Sequence, residues 1–135
     1  IEERPVALDG RMLPHEWLRS GDTLIKTDAT DHHDDHFFPG TQDIAWDLAA
    51  TAVEFKLDDR AERYLLERYS AASGDRHIAE RVPFYRIAYL AHRVGYATLA
   101  SETLDPSDDQ SRWLAMAAAY RNQLRGALSP MSNAA

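Results

Sequence analysis

The residues best equipped for chemistry lie in one acidic, histidine-bearing stretch, Lys26-Thr27-Asp28-Ala29-Thr30-Asp31-His32-His33-Asp34-Asp35-His36. Eleven residues there hold four aspartates and three histidines against one lysine, and Gln42-Asp43-Ile44-Ala45-Trp46-Asp47 follows shortly after. The order carries more information than the charge. A short apolar run ends at Asp28, a loop follows, and a helix is expected to open near Asp43. Aspartates at the end of a strand and the start of a helix are common places for handling divalent ions and phosphates.

Three pairings of these groups are chemically distinct. Glu16 and Asp28 both lie at loop–strand junctions, and a hairpin between them brings the carboxylates together. Two carboxylates with open positions between them suit Mg²⁺, which takes oxygen ligands and keeps waters or phosphates as the rest of its shell. The plainer alternative leaves both exposed and unpaired. His32, His33 and His36 with Asp31, Asp34 and Asp35 suit Zn²⁺ or Fe²⁺ instead. His32 and His33 are adjacent and point apart in an extended loop, so two useful imidazoles are expected, not three. The alternative is a loop tied by Asp–His hydrogen bonds. Asp43 and Asp47 are one helical turn apart. Asp43 suits the first turn of a helix, whereas Asp47, in apolar company, is expected to accept backbone N–H groups and organise the Gly10–Glu16 loop. His15 beside Glu16 is a candidate base, although a solvent-facing histidine is the more ordinary role. There is no Gly-rich phosphate loop, nucleophile elbow or zinc-finger spacing.

The elements that must position these groups are short strands followed by helices. Val6–Asp9 reads as a strand, and Gly10–Glu16 as a loop in which Pro14 blocks a continued ladder. Arg19-Ser20-Gly21-Asp22 is a turn signal, so Trp17–Leu18 and Thr23–Thr27 are expected to form a hairpin. Phe37-Phe38-Pro39 is read as a buried plug. A helix is expected from Thr41 or Gln42 to about Lys56, with Ile44, Leu48, Ala52 and Phe55 inward. Asp58 or Asp59 caps the next, whose inner face takes Tyr64, Leu65, Arg68, Tyr69 and Ala72, and Ser73-Gly74-Asp75 stops it. A third helical region covers His77–Leu104, with Pro83 as a kink or first-turn residue and Phe84, Ile87, Ala91, Val94 and Thr98 inward. The last, from about Ser107 to Leu124, turns Trp113, Ala117, Tyr120 and Leu124 inward and is expected to end at Gly126, with a frayed tail from Ser129. The fold class is therefore α+β and mainly helical: a small β-hairpin with catalytic-type loops packed on three to four helices.

The bulk numbers set the outer limits. With 135 residues and a formal net charge of −7, the chain is long enough for one domain with a modest core, taken as residues 1–135. The acidic balance argues against general nucleic-acid binding, which needs a basic stripe, but not against a nucleotide whose phosphates a metal neutralises. There is no cysteine, so disulfide and thiolate chemistry are excluded, and a reducing cytoplasm fits best. No apolar run approaches membrane-spanning length, and the opening residues have no signal-peptide pattern. The first residue is Ile1, and a start within a larger protein is expected.

The order of motifs resembles the C-terminal lobe of the aminoglycoside phosphotransferase and choline kinase-like enzymes, relatives of the protein kinases. That family's catalytic loop runs His-Gly-Asp, two residues, Pro, one residue, Asn, then an apolar pair. The matching stretch is Asp9-Gly10-Arg11-Met12-Leu13-Pro14-His15-Glu16-Trp17-Leu18. The family's metal-binding aspartate after a strand falls on Asp28, and its later Asp-Leu-Ala motif on Asp47-Leu48-Ala49. Two positions depart from the pattern. Arg11 stands where the family has its catalytic aspartate, and arginine cannot act as a base at neutral pH. Glu16 stands where the family has a metal-ligating asparagine, and glutamate still suits Mg²⁺. The His32–Phe38 insertion exceeds the compact family loop.

The resemblance implies a kinase-like fold. It implies Mg²⁺ and ATP as cofactors of an intact parent, and a small hydroxylated acceptor. Glu16 and Asp28 would be the metal ligands, Arg11 would sit at the phosphates, and Asp9 would position the hydroxyl. It also implies a nucleotide-holding N-terminal lobe, without which the chain would be inactive. Two other readings stand beside it: a non-catalytic kinase-like binding protein, and a metal-dependent hydrolase built on the His32–His36 loop.

Overall fold

The structure is a computed structural model, and it describes residues 5–27, 34–35, 38–39 and 41–132 of the chain, with side chains over 5–27 and 41–129. It is a mixed α+β fold, mostly helical. Two compact units are distinguished, Ile1–Tyr85 and Arg86–Ala135.

The first unit opens with β1 (Pro5–Val6), which pairs antiparallel with β6 (Gln42–Asp43), Val6 opposite Gln42 and Pro5 opposite Asp43. The expected strand over Val6–Asp9 is thus displaced and shortened. Beyond Val6 the chain turns Leu8 into the interior, and the N–H groups of Asp9 and Gly10 are taken by a side chain instead of a ladder. The loop closes with a single 3₁₀ turn at Pro14–Glu16, where proline's fixed φ suits the first position. The expected hairpin is present: β2 (Trp17–Ser20) pairs with β3 (Thr23–Lys26) from Trp17 opposite Lys26 to Ser20 opposite Thr23. Its two-residue turn needs a positive φ at the first central position, and Gly21 supplies one of 60°. Within the acidic stretch, β4 (Asp34–Asp35) pairs with β5 (Phe38–Pro39). Residues 28–33, 36, 37 and 40, among them Asp28, His32, His33, His36 and Phe37, lie outside the described residues.

Helix α1 (Ala45–Glu54) begins later than the periodicity suggests. Gln42 and Asp43 are committed to β1, and the Asp43 carboxylate accepts the Ala45 N–H at 2.9 Å, capping the helix from outside. Its other end closes through Lys56, at φ 50°, with Lys56 N–H on the Val53 carbonyl and Leu57 N–H on that of Ala52. These two bonds satisfy two of the orphan carbonyls of the last turn. α1 is buried on nearly every side, and its alanines at 45, 49, 50 and 52 let neighbours approach closely. α2 (Asp59–Ser73) starts at Asp58, whose side chain accepts the Ala61 N–H at 2.8 Å, and stops at Gly74, with φ 77°. α3 (Ile78–Glu102) runs as one helix with Pro83 inside it.

The core of this unit joins Ala45, Leu48 and Ala49 of α1 to Ile78 and Val82 of α3, with Ile44, Leu65, Leu66, Tyr69 and Tyr85 packed around them. Burying Ile78 or Val82 contributes about 1.5–3 kcal/mol each. The expected inner faces need correction here. On α2, Leu66 faces the core while Tyr64, Arg68 and Ala72 are exposed. On α3, Phe84 is 68% exposed and Ala91 is exposed, whereas Ile78, Arg81, Val82, Tyr89, Leu90, Arg93, Ala97 and Ser101 are buried. Two arginines and a serine lie on that stripe, so a rule that puts apolar residues inside selects the wrong one.

In the second unit, the later turns of α3 meet α4 (Asp108–Ser132) through Tyr96 against Trp113 and Arg93 over Tyr120. Ala117 and Tyr120 are buried, and Trp113 and Leu124 half-buried, as expected. The Arg93 guanidinium lies over the rings of Tyr96 and Tyr120, 5.4 and 5.1 Å from their centroids, a cation–π arrangement. The Gln110 amide closes the α3–α4 connection by donating to the carbonyls of Ser101 and Leu104. α4 continues through Gly126 and Ser129 to Ser132, not ending at Gly126. A glycine inside a helix costs only about 1 kcal/mol against alanine, too little to end a 25-residue helix. Among the described residues, no helix is long and apolar enough to cross a membrane.

Candidate functional site

The candidate site is built by the loop between β1 and β2, the end of β3 and the first turn of α1. Its foundation is Asp47. One carboxylate oxygen accepts the Asp9 N–H at 2.9 Å and the other the Gly10 N–H at 3.0 Å. Trp46, the preceding residue, donates its indole N–H to the Gly10 carbonyl at 3.4 Å. Gly10 has φ 77°, a left-handed conformation that a side chain would strain. The expectation that Asp47 organises this loop holds, and the grip falls on its first two residues. Burial pushes the Asp47 carboxyl above its ordinary range, and the two backbone N–H groups only partly offset that.

On this base sits a compact charge network. Asp9 turns one oxygen to the Arg11 N–H at 3.2 Å and the other to the Lys26 ammonium at 3.1 Å. The same ammonium donates to a Glu16 oxygen at 3.0 Å. The three side chains are almost buried, with exposures of 11% for Lys26, 13% for Asp9 and 8% for Glu16. Burial pulls the Lys26 pKa down, but the hydrogen bonds to Glu16 and Asp9 outweigh it, and the net movement is upward. The backbone of Glu16 is also engaged, its carbonyl accepting both the N–H and the hydroxyl of Thr27 at 2.9 Å. Arg11 lies at the rim, with a guanidinium nitrogen 4.0 Å from Glu16 and a side chain 46% exposed. Trp17 meets Phe55 edge to face at 6.0 Å, which seats the hairpin against the end of α1.

Of the four residues singled out in the sequence, Asp9, Arg11 and Glu16 therefore come together, and Asp28 lies outside the described residues. Lys26 was missed. The strand register alone does not place it: Lys26 pairs with Trp17, a continued strand would turn Glu16 to the other face, and the 3₁₀ turn ending at Glu16 is what brings that carboxylate to the ammonium. His15 is exposed. Among the described residues, no group of three or more His, Cys, Asp or Glu side chains is arranged to hold a metal.

A second buried charge cluster was also missed. Arg81 donates from Nε to one Asp43 oxygen at 2.6 Å and from Nη2 to the other at 3.3 Å. Its Nη1 and Nη2 atoms reach the two oxygens of Asp75. Asp75 also accepts the His77 N–H at 3.1 Å, as Asp43 accepts that of Ala45. The two aspartates hold the guanidinium firmly protonated. Asp43 is thus a helix cap and an ion-pair partner, outside the candidate site.

No family model matches the chain, and no similar protein is found among the curated proteins or the solved structures.

Proposed function

We propose that this chain is the acceptor-side lobe of a kinase-like phosphotransferase, which moves the γ-phosphoryl group of Mg-ATP to the hydroxyl of a small molecule. One observation carries the reading. The two stretches that resemble the family's motifs, Asp9-Gly10-Arg11 and Asp47-Leu48-Ala49, are joined by the two backbone bonds to the Asp47 carboxylate. A loop held in this way fixes the backbone that carries Asp9 and Arg11, the preorganisation that phosphoryl transfer depends on.

The donor chemistry fits Mg²⁺. Asp9 and Glu16 already gather carboxylate oxygens around one cation, the Lys26 ammonium, and Mg²⁺ takes such oxygens. Glu16, with Asp28, would hold the ion, and bound Mg²⁺ neutralises charge on the transferring phosphates. Asp9 would accept the acceptor's hydroxyl hydrogen and orient the oxygen. Arg11, exposed at the rim, would meet a phosphate as a fixed positive charge. Nucleotide holding is assigned to an N-terminal lobe of the same protein.

Turnover tests this directly. The full-length natural protein is incubated with Mg-ATP and a panel of small alcohols, and ADP release is followed. The expected result is acceptor-dependent ADP release that falls steeply in Asp9→Asn.

A second reading, a kinase-like protein that binds without transferring, is favoured by Arg11 standing where the family has its catalytic aspartate. Mg-ATP binding without turnover on any acceptor would select it.

A further inference from the structure

We propose that Lys26 is the exchangeable resident cation of this site, so that its ammonium and a divalent metal compete for Glu16. The inference rests on the phosphotransferase reading and adds a regulator to the same site. Three observations carry it. One ammonium bridges two nearly buried carboxylates at 3.0 and 3.1 Å. Two ionised carboxylates at such depth are costly without a positive partner, so a cation at this place is favoured before metal arrives. The bridging group is a lysine, a point charge on a four-carbon flexible stem that can swing away while staying protonated, where an arginine fork would be geometrically locked. In the metal-free protein Lys26 keeps the loop folded. When metal binds Glu16, the ammonium keeps Asp9 or turns to an incoming phosphate.

The test uses Mg²⁺ alone, without nucleotide, titrated calorimetrically into the chain, into Lys26→Met and Lys26→Gln, and into each combined with Glu16→Gln. Circular dichroism checks that each variant is folded. The expected result is Mg²⁺ affinity higher by on the order of tenfold in a folded Lys26 variant, the scale of removing one nearby positive charge, with the gain abolished by Glu16→Gln. Equal or weaker affinity in a folded Lys26 variant, or a gain that survives Glu16→Gln, would overturn the proposal.

A measurement on the unaltered protein covers the case in which those variants do not fold. The chain has two lysines, Lys26 and Lys56, so acetylation of each is followed separately by mass spectrometry. Excess Mg²⁺ is expected to speed modification of Lys26 and leave Lys56 unchanged, and an unaltered Lys26 rate would overturn the exchange. Mg-ATP titrations in parallel separate the two levels. Glu16-dependent Mg-ATP binding with no Lys26 effect removes the exchange and leaves the phosphotransferase reading. A Lys26 effect on Mg²⁺ without Mg-ATP binding does the reverse.

Discussion

Two buried clusters in the first unit use the same ingredients, two carboxylates and one cation, and differ in how the cation is held. Around Arg81, each aspartate receives two guanidinium nitrogens and also caps a backbone N–H next to a helix start. The cluster ties β6 and the approach to α3 together. Around Lys26, single contacts from one ammonium reach Asp9 in a loop and Glu16 in a 3₁₀ turn. The first arrangement holds its cation through four directed bonds from a planar fork. The second can exchange its cation without dismantling a helix. Buried charge alone therefore does not mark a functional site; the geometry and stiffness of the counter-ion distinguish a lock from a site able to respond.

The largest difference between the two clusters is expected at Arg81. Arg81→Met strands two buried carboxylates and is expected to cost about 3–5 kcal/mol in denaturant unfolding. A loss below that of Lys26→Met would reverse the assignment of lock and exchangeable site. Lys26→Met is expected to cost less, about 1.5–3 kcal/mol, the range for hydrogen bonds to charged groups. Unlike the Arg81 loss, part of it should return when Mg²⁺ is added, read as a metal-dependent rise in Tm. Asp47→Asn removes one of two anionic acceptors and is expected to cost about 1–3 kcal/mol, the penalty of one stranded buried donor. A smaller change, within about 0.5 kcal/mol, is expected for Arg112→Ala, which breaks the exposed Asp109–Arg112 pair at 3.1 Å. That variant asks whether burial, rather than Arg–Asp pairing itself, sets the scale.

The two unusual pKa directions separate the groups by pH. Asp47 is raised above its ordinary 3.8 by burial, so the folded protein holds this proton to higher pH than the unfolded chain does. Its contribution is most favourable below 3.8 and falls as pH rises through the folded value. The stability of the natural chain relative to Asp47→Asn should therefore shrink as pH rises above 3.8. Lys26 is raised above 10.5, net of burial, by Glu16 and Asp9. Its contribution is intact below 10.5 and lost as pH rises through the folded value, so Lys26→Met should flatten the alkaline arm of the stability profile. Denaturation series across pH check both signs.

What was legible in the sequence was local. The Asp58 cap, the Gly74 stop and the Gly21 turn depend on a residue and its near neighbours, and each is found. Asp47 was also readable, because a carboxylate among apolar residues must find donors. The start of α1 was misread because Gln42 and Asp43 answer to Val6 and Pro5, far away in sequence. The inner face of α3 was misread because Arg81 and Arg93 are buried through partners on other elements: aspartates for one, the Tyr120 ring of α4 for the other. In the site, Asp9, Arg11 and Glu16 came from motif order, whereas Lys26 required knowing how the loop and its 3₁₀ turn place Asp9 and Glu16 at the end of the hairpin. A lone lysine in an acidic stretch looks like a solvated charge until its cross-strand neighbours are placed.

The most direct measurement is calorimetric titration of the full-length natural protein with ATP, with and without Mg²⁺, beside Glu16→Gln and Asp28→Asn. The phosphotransferase reading expects binding that needs Mg²⁺ and is lost in both variants while their folds persist. Equal affinity with the metal chelated, or unchanged affinity in the two carboxylate variants, would contradict it.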